Sequence, residues 1–304
     1  MATVKLARYR YGKKEHYGVL VNENKVVCLP GLARRMREQF PKTLEEFIEK
    51  SEKTVEKAEE LLMKTPQNVV EEFSLPVNNI SLLAPITRPP KIICLGLNYL
   101  DHIEEQITEH GALVPDEPII FLKPRTTIIG PRENIVKPSL VKQLDYEAEL
   151  AIIIGKKAKN VPVSEAESYI FGYTILNDVS ARDIQFKDKQ WTRGKSFDTF
   201  APIGPCIVTR NQLRDPSNLY VRTWVNNELR QNSTTKKMVF NVYEIVHHLS
   251  KVMTLEPCDI IATGTPAGVG FAMKPPKFLQ AGDVVEMEIE RIGVLENTVV
   301  EEKL

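Results

Sequence analysis

From residue 91 onward, short apolar runs separated by turn residues dominate the chain. The runs are KIICLG, PIIFLK, ELAIIIG, YIFGYTILND, GPCIVT, YVRTWVN, DIIATG and VVEMEIERIG. Gly, Pro, Asn and Asp separate them, so they read as strands. Few helical periods interrupt them. The clearest covers residues 239–253, with Val242, Ile245, Val246, Leu249, Val252 and Met253 at helical spacing. A shorter helix is expected to start near Tyr99. Many strands with few helices argue against a doubly wound α/β fold. They predict an α+β, mainly β architecture of the mixed sandwich-roll type.

The first 80 residues have a different texture. VKLARY, GVLV and KVVCL, with a turn at residues 22–24, predict a small antiparallel sheet within residues 3–29. Thr43 followed by Glu46 predicts a capping box. The helix it starts carries Leu44, Phe47 and Ile48 on its apolar stripe and continues through Ala58, Leu61 and Leu62. Its middle, residues 49–57, reads as a solvated face. Pro76, Pro85, Pro89 and Pro90 then punctuate the chain. They place a domain boundary near residue 80, with a small N-terminal domain over 1–80 and a larger one over 81–304. Residues 107–116, with Gly111 and Pro115, read as a mobile segment.

Composition narrows the class. Lys plus Arg and Asp plus Glu are 40 each over 304 residues, so no bulk charge attracts nucleic acid or an anionic membrane. No apolar run approaches the ~18 residues of a membrane span. Cys28, Cys94, Cys206 and Cys258 are scattered, without a C-x-x-C pair, which fits a reducing compartment. The N-terminus lacks the apolar stretch of a secretory signal. The expected address is the cytoplasm, or the mitochondrion if the chain is a processed eukaryotic one.

The first candidate chemistry is DYEAEL, at the head of the run AIIIG. On a strand, Glu147 and Glu149 face the same way, about 7 Å apart along it. Two such carboxylates repel, and one would protonate unless a cation is present. Mg²⁺, Mn²⁺ or Ca²⁺ would suit hard oxygen ligands. An edge strand with two solvated acids would show the same spacing. Asp178 ends another apolar run and could supply a third ligand. Lys195, in RGKSFDT, could neutralise an enolate near a metal. The GKS there is not a P-loop, because Lys189 stands where that loop needs Gly. His102 and Glu105 share a helix face, as a general base and its orienting carboxylate would; a surface helix with a structural pair looks the same. ATGTPAGVG, residues 262–270, could bring backbone amides to an anion or could simply turn the chain. His247 and His248, being adjacent, read as structural, and Trp191 and Trp224 as packing.

Taken together, DYEAELAIIIGKKAK, GYTILNDVSARDIQ, QWTRGKSFDTFAPIGP and the run from Met238 to Gly270 resemble the fumarylacetoacetate hydrolase superfamily. The resemblance covers about residues 80–304. GLNYLDHIEEQ, FGYTILNDVSARD and KPPKFLQAGD are similar to its subgroup of fumarylacetoacetate hydrolase domain-containing proteins. It implies a mixed β-sandwich roll, a homodimer and a bound Mg²⁺, Mn²⁺ or Ca²⁺. The implied metal ligands are Glu147, Glu149 and Asp178, with Thr199 as a further or indirect contact. Lys195 matches the family lysine. Lys123, Arg182, Gln185 and Thr265 match positions that contact a bound oxo-acid. His102 and Glu105 match a dyad on a lid that activates water in hydrolytic members.

The implied reaction runs through a metal-stabilised enolate of a small 2-oxo acid. Protonation of that enolate is tautomerisation, loss of CO₂ is decarboxylation, and water attack on an acylpyruvate is C–C hydrolysis. The subgroup match favours oxaloacetate enol–keto tautomerase activity. Hydrolysis of an acylpyruvate or fumarylpyruvate follows as the alternative, then oxaloacetate decarboxylation or a 2-hydroxymuconate-type isomerisation. A non-catalytic oxo-acid sensor would use the same pocket.

Overall fold

The strand Ala148–Ile154 is buried along its whole length, and the fold is organised around it. Leu150, Ile152 and Ile154 enter one hydrophobic cluster, and Ala151 and Ile153 the other. A strand covered on both faces reads as an unbroken apolar run, as this one does. The computed structural model describes residues 4–22, 24–110, 113–188 and 190–303.

The large sheet has twelve strands and mixed direction. Ile170–Asn177 and Ile260–Ala262 flank the central strand, both antiparallel to it. Ile92–Gly96 then runs parallel to Ile260–Ala262, and Ile119–Lys123 closes that side. On the other side, Ala201–Thr209 pairs with Ile170–Asn177 and with Lys5–Tyr11. Lys14–Val21, Lys25–Cys28 and Ser74–Pro76 extend the sheet further. The N-terminal strands are therefore hydrogen-bonded into the same sheet as the central ones.

A five-stranded sheet covers one face. Its Val221, Val285, Met287, Leu295 and Val299 share a cluster with Ile152 and Ile175. The helices Leu29–Arg35, Leu44–Glu49 and Ser51–Lys64 cover the other face through Leu29, Leu32, Phe47, Ile48, Ala58 and Leu61. The architecture is α+β and mainly β, as the pattern of runs predicts. Among the described residues no helix is long and apolar enough to cross a membrane, and the four cysteines form no disulfide.

Several local expectations need correction. The helix from Thr43 is two helices, broken at Lys50, whose backbone (φ −102, ψ 21) leaves the helical region. Thr43 does accept from the Glu46 amide, but the Glu46 carboxylate caps Lys42 rather than Thr43. Thr54 and Val55, in the stretch read as solvated, are buried. The later helix is Val242–Val252, started by a capping box between Asn241 and Glu244. Val252 keeps the period but is 68% exposed, because the helix ends there. The run VVEMEIERIG holds a strand, a turn and the first residue of the next strand, Gly293–Glu301. That strand and Glu228–Thr234 escape the apolar pattern because buried positions in them are polar: Asn297 in the first, Gln231 and Ser233 in the second. Glu23, in the expected N-terminal turn, and Gly111, in the expected mobile segment, lie outside the described residues.

Candidate active site

Antiparallel pairing sets the head of Ala148–Ile154 beside the tail of Ile170–Asn177, with Ala148 opposite Asn177. The Asp178 amide donates to the Glu147 carbonyl at 2.9 Å. Three carboxylates far apart in sequence thereby converge. Oxygens of Glu147, Glu149 and Asp178 lie within 4.8 Å of one another, and all three side chains are buried.

Three cations meet these acids. Lys195 Nζ donates to Glu147 at 2.8 Å and to Asp178 at 2.7 Å. Lys123 Nζ donates to the other Asp178 oxygen at 2.6 Å. The Arg182 guanidinium reaches Glu147 at 2.6 Å and Asp145 at 2.9 Å. Asp145 thus joins the site, so four buried carboxylates face three cations. The uncompensated one is Glu149, which forms no ion pair among the described residues. Burial, then Asp178 and Glu147, push its carboxyl well above the ordinary range. Burial would also raise Glu147, but Lys195 and Arg182 outweigh it and hold that carboxyl low, at about 2. Of the paired glutamates, Glu149 is therefore the one that burial and its acidic neighbours drive toward the protonated form. Hard oxygen donors, crowded and one charge in excess, suit a divalent cation.

The glycine-rich loop after Ile260–Ala262 does bind anions, and they are the protein's own carboxylates. The Gly264 amide donates to Glu149 at 2.7 Å and the Gly268 amide to Glu105 at 2.9 Å. The amides of Gly270 and Phe271 hold the two oxygens of Asp145, at 2.7 and 3.0 Å. Gly268 has φ +102, and a Cβ there would meet the Arg230 carbonyl oxygen at 2.1 Å. Only glycine lets the loop come this close.

A cavity of about 210 Å³ opens onto this cluster. Glu147, Arg182, Gln185, Lys195, Thr265, His102 and Gln106 supply its polar lining. Leu95, Phe121, Phe186, Trp191 and Phe271 supply much of the rest. The Arg182 guanidinium lies over the Phe271 ring, 4.5 Å from its centre. Gln185 accepts from Arg182 at 2.9 Å. The Thr265 hydroxyl donates to the Ala148 carbonyl at 3.0 Å. His102 Nδ1 and Glu105 lie 2.6 Å apart on the helix Leu100–His110, and the ring is buried. A larger open groove, about 770 Å³, lies between residues 39–57 and 155–157 and shares no lining residue with this cavity.

Of the expected residues, Glu105, Glu149, Asp178, Lys123 and Thr199 stand behind the cavity wall rather than in it. The Lys123 side chain is fully buried (0% exposed), so it meets the site only through Asp178 and the Val179 carbonyl. Thr199 lies at φ 71, and its hydroxyl accepts from the Val136 amide at 2.9 Å. Sequence reasoning missed Asp145, Gln106 and Phe271 and read Trp191 as packing alone. Trp191 packs on Phe121, with ring centres 5.9 Å apart, and lines the cavity as well. The alternation of Asp145, Glu147 and Glu149 along one segment was the available signal for Asp145.

Residues 91–300 match the family profile described as fumarylacetoacetate (FAA) hydrolase C-terminal. The Xenopus laevis protein named oxaloacetate tautomerase fahd2, mitochondrial, is 52% identical over 225 residues, covering 73% of this chain and 69% of that protein. The fumarylacetoacetate hydrolase of psychrophilic Exiguobacterium antarcticum aligns at a TM-score of 0.82 and 38% identity, over 99% of this chain and 100% of that one. Maleylpyruvate hydrolase from Sphingobium sp. SYK-6, solved with manganese(II) and pyruvate, aligns at 0.78 and 30% identity, over 98% and 100%. With the profile matching most of its length, the chain belongs to the fumarylacetoacetate hydrolase family and is one of its enzymes.

Proposed function

We propose that this chain is an oxaloacetate enol–keto tautomerase that depends on a divalent cation, Mg²⁺ in the first instance. The observation that carries the reading is a buried acidic triad that meets, through Glu147, a small cavity of about 210 Å³ lined by Arg182 and Lys195. That volume suits a four-carbon dicarboxylate. The similarity to a protein named oxaloacetate tautomerase supports the choice of substrate.

Glu147, Glu149 and Asp178 would hold the cation. When bound, it supplies positive charge that lowers the cost of an enolate. Arg182, Gln185 and Thr265 bind and orient the substrate's carboxylates. Phe121, Trp191, Phe186 and Phe271 exclude bulk water, which strengthens each of these contacts. Lys195 Nζ carries its proton between Glu147 and Asp178 at the cavity wall. It delivers that proton to C3 and regains one from the enol hydroxyl. A homodimer belongs to the same reading, and sedimentation equilibrium tests it.

A second reading, C–C hydrolysis of an acylpyruvate, is favoured by one observation: the His102–Glu105 pair at 2.6 Å has the form of a general base and its orienter. Freshly dissolved enol-oxaloacetate separates the outcomes. Enol absorbance and pyruvate are followed together, with Mg²⁺ and with a chelator. Metal-dependent enol loss without pyruvate is expected. Pyruvate release would make the enzyme a decarboxylase, and no change in either signal would overturn oxaloacetate as substrate.

A further inference from the structure

We infer that Gln106 is a specificity-determining residue that holds His102 out of water activation and so keeps this site from hydrolysing acylpyruvates. The inference rests on the tautomerase reading and explains how a chain with a hydrolytic dyad would avoid hydrolysis.

His102, Glu105 and Gln106 stand at positions i, i+3 and i+4 of the helix Leu100–His110, so all three share one face. His102 Nδ1 lies 2.6 Å from Glu105 Oε1, and the other Glu105 oxygen is held by the Gly268 amide at 2.9 Å. A carboxylate can only accept, so Nδ1 carries the proton. The lone pair of a neutral ring then sits on Nε2, the atom a general base would turn toward water. Gln106 Nε2 lies 2.6 Å from it. The amide N–H donates to that lone pair. If the ring were doubly protonated, the amide would turn and accept from Nε2–H instead. In either state both ring nitrogens are occupied. Gln106 and His102 both line the cavity, so the amide and a water from that space compete for the same Nε2 lone pair.

Hydrolysis of an acylpyruvate needs that lone pair. The water oxygen bonds to C4 and its proton passes to the base. The C3–C4 bond breaks, leaving its electron pair on C3, and the proton is returned there. The products are a carboxylic acid and pyruvate. Tautomerisation adds no water and does not require Nε2 to be open. Gln106 is a positioning residue in this account, because it acts through His102.

The test uses Mg²⁺-loaded full-length protein with acetylpyruvate and, separately, enol-oxaloacetate. Gln106→Met keeps the side-chain length and removes the donor. Its acetylpyruvate hydrolysis is expected to exceed wild type by about tenfold or more, a modest share of what a general base contributes. The double variant Gln106→Met/His102→Ala is expected to lose that gain. ¹⁵N spectroscopy of the wild-type histidines gives a readout independent of activity and of the variant's folding. The His102 Nε2 is expected to show a hydrogen-bonded, unprotonated signal. A wild-type Nε2 without a hydrogen bond overturns the inference, as does a folded Gln106→Met that hydrolyses acetylpyruvate no faster than wild type. Failure of the tautomerase reading shows elsewhere, as absence of metal-dependent enol loss in the wild type.

Discussion

The Gly264 amide donates to Glu149 Oε2 at 2.7 Å, while Lys195, 2.8 Å from Glu147, makes no ion pair with Glu149. Two acids separated by one residue therefore sit in opposite electrostatic states. This pairing of a compensated and an uncompensated carboxylate drives the first prediction.

In chelated protein, Glu149→Gln replaces a buried carboxyl that must hold its proton with a side chain that is neutral at every pH. A carboxyl raised in the folded state contributes stability that is full below its unfolded value and is lost as pH rises toward its folded one. The melting temperature of Glu149→Gln is therefore expected to exceed wild type, and the gap to widen as pH rises above the ordinary carboxylate range. Calorimetry across pH checks this. With one ligand gone, Mn²⁺ affinity is expected to fall by at least about tenfold in titration calorimetry.

Arg182→Met is expected to be strongly destabilising. Among the described residues it leaves the buried Asp145 with no cation and Glu147 with Lys195 alone, and it removes the cation over Phe271. Breaking such a pair costs about 3–5 kcal/mol. Arg182→Lys keeps a charge but cannot bridge Asp145, Glu147 and Gln185 at once. It is expected to lose less stability than Arg182→Met while still losing kcat. Urea denaturation and enol-oxaloacetate kinetics measure the two effects separately.

Gly268→Ala would force a Cβ to within 2.1 Å of the Arg230 carbonyl oxygen at a φ of +102. The loop must shift, and the amide that holds Glu105 shifts with it. A loss of about 1–3 kcal/mol is expected from strain alone. The helix bearing His102 is expected to loosen, visible as faster amide exchange over residues 100–106.

Gly96→Ala acts on the cavity instead. Its Cβ would fall 2.0 Å from Trp191 Cζ3, so the indole must move. Trp191 lines the cavity. KM for the oxo-acid is expected to rise severalfold, and Trp fluorescence should report the displaced ring.

Much of the site was legible because its residues are dictated locally. The paired Glu147 and Glu149 follow from strand periodicity, and Asp178 and Lys195 follow from the resemblance of the blocks around them. The structure brings all four into one buried cluster. Asp145 was hidden, although it shares their alternation. Its role depends on Arg182 and on the amides of Gly270 and Phe271, 125 and 126 residues away. Gln106 carried no signal of its own. An exposed-helix glutamine looks like any other polar position until a ring nitrogen is found 2.6 Å away. Strands such as Gly293–Glu301 were missed because a buried polar residue, Asn297, interrupts the inward apolar alternation, and its amide finds its partners in the Gly130 and Glu133 carbonyls far away in the chain.

By itself, then, the sequence determined the mainly β architecture, the acidic head of the central strand and the separation of the catalytic segments by turns. These are properties of periodicity and residue type, which act over a few neighbours. The tertiary structure alone decided which carboxylate is left without a cation, which anions the glycine loop holds and what closes His102 Nε2. Each of those depends on distances between segments far apart in the chain, and burial makes a difference of one hydrogen bond or one ion pair large enough to set the chemistry.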